Sequence, residues 1–215
     1  MPSHPRVRWF VRLSVGAAFA GILLFPAVAP ATIAEQRRRL PPPAHCEDPV
    51  EGVWRAHKWN DDFSDWVVFT LEVHRKEGSE SLLEGTIENR SWPGTPQQEE
   101  APPCGFGVFH WIVKMTAVGT ITPEGDIRFG GTRWWTEQVL CNHGPAGYNL
   151  DNLSGRIDPA LQEFQSVNND GGRAINEPMV FRRIRCFDGS VAAPEVNPVP
   201  PDFYPGRSSG CGCGS

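Results

Sequence analysis

Apolar residues at alternate positions are the feature of this sequence that most constrains its fold. Residues 66–74 and 108–121 both alternate apolar with mainly polar side chains. In the first segment the apolar face consists of Val67, Phe69, Leu71 and Val73. Successive side chains of a strand point to opposite faces, so this period of two predicts half-buried β-strands. No part of residues 46–187 has the three- and four-residue apolar spacing of a long helix.

Turn-forming sequences divide the chain into short strands. They lie at residues 76–79, 123–126, 158–160 and 169–172. The predicted strands lie near residues 51–57, 65–75, 82–91, 107–121, 125–130, 132–140, 149–157, 161–168 and 178–186. An antiparallel meander of this kind protects its edge strands most fully by closing on itself. The predicted fold class is therefore all-β, an antiparallel eight- or nine-stranded up-and-down barrel, with a β-sandwich as the alternative.

The two ends of the chain have the composition of segments outside a barrel. Arg6, Arg8 and Arg12 precede an apolar run over residues 13–29, and this pattern predicts a signal peptide at residues 1–34. An uncleaved membrane anchor is the alternative, and both place the domain outside the cytoplasm, secreted or at the cell surface. The rest divides into a Pro/Arg-rich linker at residues 35–45, the barrel domain at residues 46–187, and a disordered Pro/Gly-rich tail at residues 188–215.

All six cysteines follow the predicted signal peptide, and four of them lie within residues 46–187. Export to an oxidising compartment makes disulfides the default state of these cysteines. Four cysteines allow three pairings. Cys46 and Cys186 stand at the two ends of the domain, so a bridge between them would close it and leave Cys104 to pair with Cys141. We therefore expect these two disulfides to staple the barrel.

The tail contains two further cysteines, Cys211 and Cys213, separated by one glycine. Such close cysteines do not readily bridge each other, because disulfide geometry needs Cα atoms about 5.5 Å apart in a fixed orientation. They are candidates for attachment of the tail, by pairing between molecules, holding a soft metal or carrying a lipid. A membrane contact is expected only through this modified tail or through a retained signal anchor.

Charge and motifs exclude several classes of function. The formal net charge is −5, and after Arg39 the only basic cluster is residues 182–185, which argues against a nucleic-acid partner. Residues 46–187 contain no Gly-x-Ser-x-Gly, His-Glu-x-x-His or glycine-rich phosphate loop. No catalytic residue, cofactor or metal is therefore predicted. Export disfavours a zinc site built from Cys104, His110, Cys141 and His143, because it makes disulfides the default.

Short motifs at the two ends of the domain carry a family resemblance. Gly52-Val53-Trp54 opens the first predicted strand, and Phe181-Arg182-Arg183-Ile184-Arg185 closes the last. Over residues 46–187, these motifs and the strand pattern resemble the calycin superfamily of lipocalins and avidin-like proteins, in which Gly-x-Trp begins an eight-stranded barrel. The resemblance implies that Arg182, Arg183 or Arg185 covers Trp54. It also implies a barrel mouth that binds a small, largely apolar molecule.

Tryptophans are the candidate ligand-binding side chains. They are Trp54, Trp111, Trp134 and Trp135. Trp134 and Trp135 are consecutive on a predicted strand, so they must point to opposite faces, one of them into the lumen. The function expected first is a non-enzymatic binding module that takes a small apolar or amphipathic ligand in a β-barrel. The second is a surface-associated structural or interaction protein attached through its C-terminal cysteines, and the third is a secreted hydrolase with convergent carboxylates in a cleft.

Overall fold

The computed structural model describes residues 33–172 and 174–187, and within them eight antiparallel strands form one closed barrel in chain order. The strands are β1 (Gly52–Asn60), β2 (Asp65–Arg75), β3 (Leu82–Pro93), β4 (His110–Ile121), β5 (Asp126–Cys141), β6 (Asn152–Asp158), β7 (Glu163–Asn168) and β8 (Glu177–Arg185). Each strand pairs with the next, and β8 closes the barrel on β1. The predicted up-and-down barrel is confirmed, and the β-sandwich alternative is wrong.

Strand β5 replaces two predicted strands, at residues 125–130 and 132–140, and so fixes the strand count at eight. Gly130 and Gly131 do not reverse the chain; they stand at a bulge in the β4–β5 ladder, where Thr132 is the extra residue. β6 pairs with β5 only as far as Gly130, whereas β4 follows β5 to Cys141. β4 and β5 therefore continue past β6 as a two-stranded ribbon.

Alternate side chains of every strand point into the barrel and form its core, as the period of two predicts. Large buried members of this core are Trp54, Phe69, Ile87, Met115, Phe129, Leu153, Phe164 and Phe181. At Gly119, β4 comes so close to β5 that a Cβ atom would lie 2.3 Å from the carbonyl oxygen of Arg128. Only glycine fits such an approach of two backbones.

A second apolar cluster lies on the outer face of β1, β2 and β3. Its members are Trp59, Trp66, Val68 and Trp92. The proline-rich composition of residues 91–105 predicts a mobile flap at this place. In the structure the first part of this segment belongs to β3, and the loop then packs on the cluster. The indole N–H of Trp66 donates to the carbonyl oxygen of Thr95 at 2.9 Å.

A short helix, α1 (Ile33–Arg39), packs against β8 in the segment interpreted as a Pro/Arg-rich linker. β1 pairs only with the last residues of β8, so the earlier residues of β8 lack a partner strand on that side. Gln36 fills the gap, because its side chain donates to the carbonyl oxygen of Pro178 at 3.2 Å and accepts from the N–H of Val180 at 3.0 Å. Buried backbone groups need such partners, which explains why this part of the segment is helical and packed.

Two disulfides staple the barrel with the predicted connectivity. Cys46 pairs with Cys186, with their Cα atoms 5.6 Å apart, and joins the segment before β1 to the end of β8. Cys104 pairs with Cys141 at a Cα separation of 5.4 Å and ties the β3–β4 loop to the end of β5. The Cys104–Cys141 bridge uses both cysteines of the zinc site that the sequence disfavours. Within the described ranges, no helix has the length and apolarity needed to cross a membrane.

Candidate functional site

The end of the barrel at which β1 begins is closed by a buried arginine. Arg183 is 1% exposed, and its guanidinium lies 5.1 Å from the centre of the Trp54 ring. It donates to the carbonyl oxygen of Glu51 at 3.0 Å and to the amide oxygen of Gln162 at 2.9 Å. Of the three arginines implied by the resemblance, Arg183 is therefore the one that covers the tryptophan.

The opposite end of the barrel is open and holds a cavity of about 900 Å³, which we call the mouth cavity. The loops between β1 and β2, β3 and β4, β5 and β6, and β7 and β8 surround it. Its apolar wall consists of Val67, Phe69, Phe109, Trp111, Trp134 and Met179. Small-molecule sites typically have volumes of about 300–1,000 Å³, so the mouth cavity has the size of a ligand site.

Two of the four predicted tryptophans, Trp111 and Trp134, line the mouth cavity. Both pack against Tyr148, with ring centres 5.9 and 6.0 Å from the centre of its ring. Trp111 is placed there by β4 and Trp134 by the ribbon part of β5. The three rings form one aromatic wall, which provides a rigid surface for an apolar or cationic group.

The other two predicted tryptophans lie elsewhere. Trp54 is buried at the closed end, under Arg183, and does not line the mouth cavity. Trp135 follows Trp134 on the same strand and points to the opposite face, as the alternation requires. Its indole N–H donates to a carboxylate oxygen of Glu137 at 2.6 Å. The structure thus brings together only half of the predicted set.

A chain of buried hydrogen bonds forms the polar side of the mouth cavity. The phenol of Tyr148 donates to Asp151 Oδ2 at 2.7 Å, and the amide of Asn168 donates to Asp151 Oδ1 at 2.6 Å. The amide nitrogen of Asn89 donates to the Tyr148 oxygen at 2.5 Å. Because the single phenol hydrogen goes to Asp151, Asn89 has to act as the donor in its contact with Tyr148.

This chain of bonds leaves one acceptor unsatisfied. The side-chain carbonyl oxygen of Asn89 has no hydrogen-bond partner among the described residues. A buried polar atom without a partner costs about 1–3 kcal/mol. The oxygen therefore favours a ligand or a water molecule that brings a donor into the mouth cavity.

Burial changes the acidity of two members of the chain. Asp151 is 3% exposed, and this burial raises the pKa of its carboxyl to about 6, although hydrogen bonds from Asn168 and Tyr148 act in the opposite direction. Burial also raises the pKa of the Tyr148 phenol well above its usual value. At neutral pH, Tyr148 is therefore a neutral donor and Asp151 is mostly ionised.

A buried ion pair adjoins the mouth cavity. Lys58 follows Trp54 and Ala56 on the inward face of β1 and is 4% exposed. Its ammonium group pairs with the carboxylate of Glu177, which lines the cavity. A lysine this deeply buried needs such a partner, because an isolated charge would lose its hydration without compensation. The pair thereby neutralises one of the carboxylates at the mouth.

The polar residues of the mouth cavity are not among those predicted from the sequence, although the strand register marks two of them. Asn89 continues the inward register of Ile87 on β3, and Lys58 continues that of Ala56 on β1. Polar residues in an apolar register mark the level at which a packed core changes into a cavity. Tyr148 lies in the β5–β6 loop, where no periodic pattern could identify it.

The remaining predictions concern metals and the ends of the chain. Among the described residues, no group of three or more histidine, cysteine, aspartate or glutamate side chains is placed to hold a metal ion. The predicted signal peptide up to residue 32 and the tail with Cys211 and Cys213 lie outside the described residues. No protein-family model, curated protein or solved structure matches the chain. Its function is therefore inferred from the residues of the barrel.

Proposed function

We propose that this protein is an exported, non-enzymatic binding protein of the calycin type that takes a small amphipathic molecule in the mouth cavity. The observation that carries the proposal is the cavity itself, about 900 Å³ in volume and open at one end of the barrel. Arg183 closes the other end over Trp54. A barrel of this form admits a ligand from one side only and encloses it among side chains from several strands.

The two sides of the cavity favour an amphipathic ligand. Val67, Phe69 and Met179 line it with apolar surface, and burial of an apolar body against them is favourable by about 25 cal/mol per Å². Asn89 and Asp151 line the polar side. A ligand with an apolar body and one polar end would satisfy both sides at once.

The disulfides and the closed end support export and the calycin type. Disulfides such as Cys46–Cys186 and Cys104–Cys141 form and persist in oxidising compartments. The stacking of Arg183 over Trp54 is the arrangement that the resemblance to lipocalins implies. These observations are independent of the cavity, and they agree with the signal peptide that the sequence predicts before the barrel.

The hydrolase hypothesis requires convergent carboxylates that can exchange protons with a substrate. The mouth cavity does contain carboxylates, those of Asp62, Asp65, Asp151, Asp170 and Glu177. However, both oxygens of Asp151 accept hydrogen bonds from neighbouring side chains, and Glu177 pairs with Lys58. The hydrogen bonds to Asp151 and the ion pair of Glu177 occupy these two carboxylates, and this favours a role in ligand binding over one in acid–base catalysis.

Titration with a neutral apolar fluorophore, N-phenyl-1-naphthylamine, tests the proposed function. The purified, oxidised protein should enhance the fluorescence of the probe saturably, at one probe per chain. Val67→Phe places a larger side chain in the cavity and should abolish or strongly weaken this binding. Val118→Phe makes the same change on the outer surface, where Val118 is 55% exposed, and should bind the probe like the wild type.

Two results would count against a binding cavity. The first is wild-type protein that gives no saturable signal with the probe. The second is equal binding by the wild type and a folded Val67→Phe variant, which would place the probe outside the barrel. Thermal unfolding of each variant verifies that the comparison is made between folded proteins.

A further inference from the structure

Carboxylates outnumber the other charged groups in the described lining of the mouth cavity. Its described lining includes no lysine or arginine, and its carboxylates are those of Asp62, Asp65, Asp151, Asp170 and Glu177. Glu177 is neutralised by Lys58. The hydrogen bonds to Asp151 come from Tyr148 and Asn168, which are neutral, so they leave its negative charge uncompensated. Arg173 lies outside the described residues.

Asn89 provides a second, independent observation. Its side chain is 4% exposed, lines the cavity, and has a carbonyl oxygen without a hydrogen-bond partner among the described residues. The bond from Tyr148 to Asp151 fixes the orientation of the amide, because a flipped Asn89 could not donate to the Tyr148 oxygen. Buried acceptors are almost always paired in folded proteins, so this oxygen favours a ligand that brings a hydrogen-bond donor into the mouth cavity.

The aromatic wall borders the same polar groups. Trp111 and Trp134 both pack against Tyr148, and the phenol oxygen of Tyr148 links Asn89 to Asp151. The faces of aromatic rings attract cations, with tryptophan the strongest of the three aromatic side chains. The carbonyl oxygen of Asn89, the carboxylate of Asp151 and the rings of the aromatic wall thus lie close together in the cavity.

We propose that the ligand of the mouth cavity carries an ammonium group on an apolar body, with the ammonium group at Asp151 and Asn89. This inference rests on the proposed binding function and names the class of its ligand. The apolar body would lie against Val67, Phe69 and Met179. A neutral alcohol could donate to Asn89 but would leave the charge of Asp151 unpaired, and a carboxylate would be repelled. Since the pKa of Asp151 is raised only to about 6, its carboxylate is ionised at physiological pH.

Isothermal titration calorimetry with three compounds of equal chain length tests this inference. They are decylamine, 1-decanol and decanoate, measured at about pH 7.4, where the first is a cation and the last an anion. We expect decylamine to bind about tenfold more tightly than decanol, equivalent to about 1.4 kcal/mol, and decanoate to bind most weakly. If decanol or decanoate binds as tightly as decylamine, the ammonium inference is overturned while the binding function stands. If none of the three binds, and the neutral fluorophore also fails, the proposed function itself is overturned.

The variant Asp151→Asn tests whether the carboxylate of Asp151 binds the ammonium group of the ligand. This variant keeps the size of the side chain and removes its charge, so the affinity for decylamine should fall about tenfold while that for decanol stays unchanged. Asp126→Asn is the matched control, because Asp126 is an exposed carboxylate on the surface, paired with Arg156 at 3.2 Å. An Asp151→Asn variant that retains the preference for decylamine, or that weakens both compounds equally, would refute the assignment. The wild-type ranking of the three compounds tests the inference even if Asp151→Asn does not fold.

Discussion

The guanidinium of Arg183 stacks 5.1 Å from the centre of the Trp54 ring, and the two residues are also register partners where β8 closes the barrel on β1. The same guanidinium donates to the backbone carbonyl oxygens of Asp48 and Glu51 and to the side chain of Gln162. One side chain therefore holds together the last strand, the segment before the first strand, and the β6–β7 turn. This arrangement is what closes one end of the barrel.

Arg183→Met should lower the free energy of unfolding by about 3 kcal/mol, because it keeps the bulk of the side chain but leaves buried acceptors without a donor. Urea denaturation followed by tryptophan fluorescence measures the change. Arg185→Met is the control, since the side chain of Arg185 is 52% exposed, and it should change stability by less than about 0.5 kcal/mol. Equal losses in the two variants would show that the buried contact does not stabilise the barrel.

The two disulfides close loops of different length, with sequence separations of 140 residues for Cys46–Cys186 and 37 residues for Cys104–Cys141. A longer closed loop restricts the unfolded chain more in the chain-entropy account. Replacing Cys46 and Cys186 by serine should therefore cost about 5 kcal/mol, and replacing Cys104 and Cys141 about 4 kcal/mol. Urea midpoints of the two double variants under non-reducing conditions give the comparison. The opposite order would mean that native-state contacts, rather than loop length, determine the effect.

His57 makes the stability of the protein sensitive to acid. It lies on the outer face of β1, with its ring centre 5.1 Å from that of Trp66 and 6.0 Å from that of Trp92. Burial, assisted by the charge of Arg55, lowers the pKa of His57 from 6.5 to about 4. On acidification the unfolded chain therefore takes up this proton before the folded protein does. The contribution of His57 to stability is complete above pH 6.5 and is lost as the pH falls towards 4.

His57→Gln removes this titration and should lose less stability than the wild type between about pH 6.5 and pH 4. Urea denaturation at several pH values across this range measures the difference. His45→Gln is the control, because His45 is exposed. This variant should follow the wild-type profile. Parallel profiles of His57→Gln and the wild type would contradict the assignment of the acid sensitivity to His57.

Much of the fold could be predicted from local patterns. The alternation at residues 66–74 identifies the inward face of β2, and the positions of Cys46 and Cys186 identify the bridge that closes the domain. The division of β5 into two predicted strands is wrong, because Gly130 and Gly131 occupy a bulge within one continuous strand. Glycine permits both a turn and a bulge, and the neighbouring strand β4 decides between them. Gln36 is a similar case, since its burial depends on the gap between β1 and β8.

By itself, the sequence determined the all-β class, the approximate positions of the strands and the set of aromatic candidates, because each of these depends on the spacing of residues along the chain. It favoured one of the three cysteine pairings, and the structure decided between them. Only the tertiary structure decided which tryptophans share a cavity and which end of the barrel is open. It also brought Asn89 on β3, Tyr148 and Asp151 before β6, and Asn168 on β7 into one hydrogen-bonded chain. These residues are far apart in sequence, and only closure of the barrel sets the distances between their polar atoms. A site of this kind has no local signature, because its chemistry exists only once strands from both halves of the chain face one lumen.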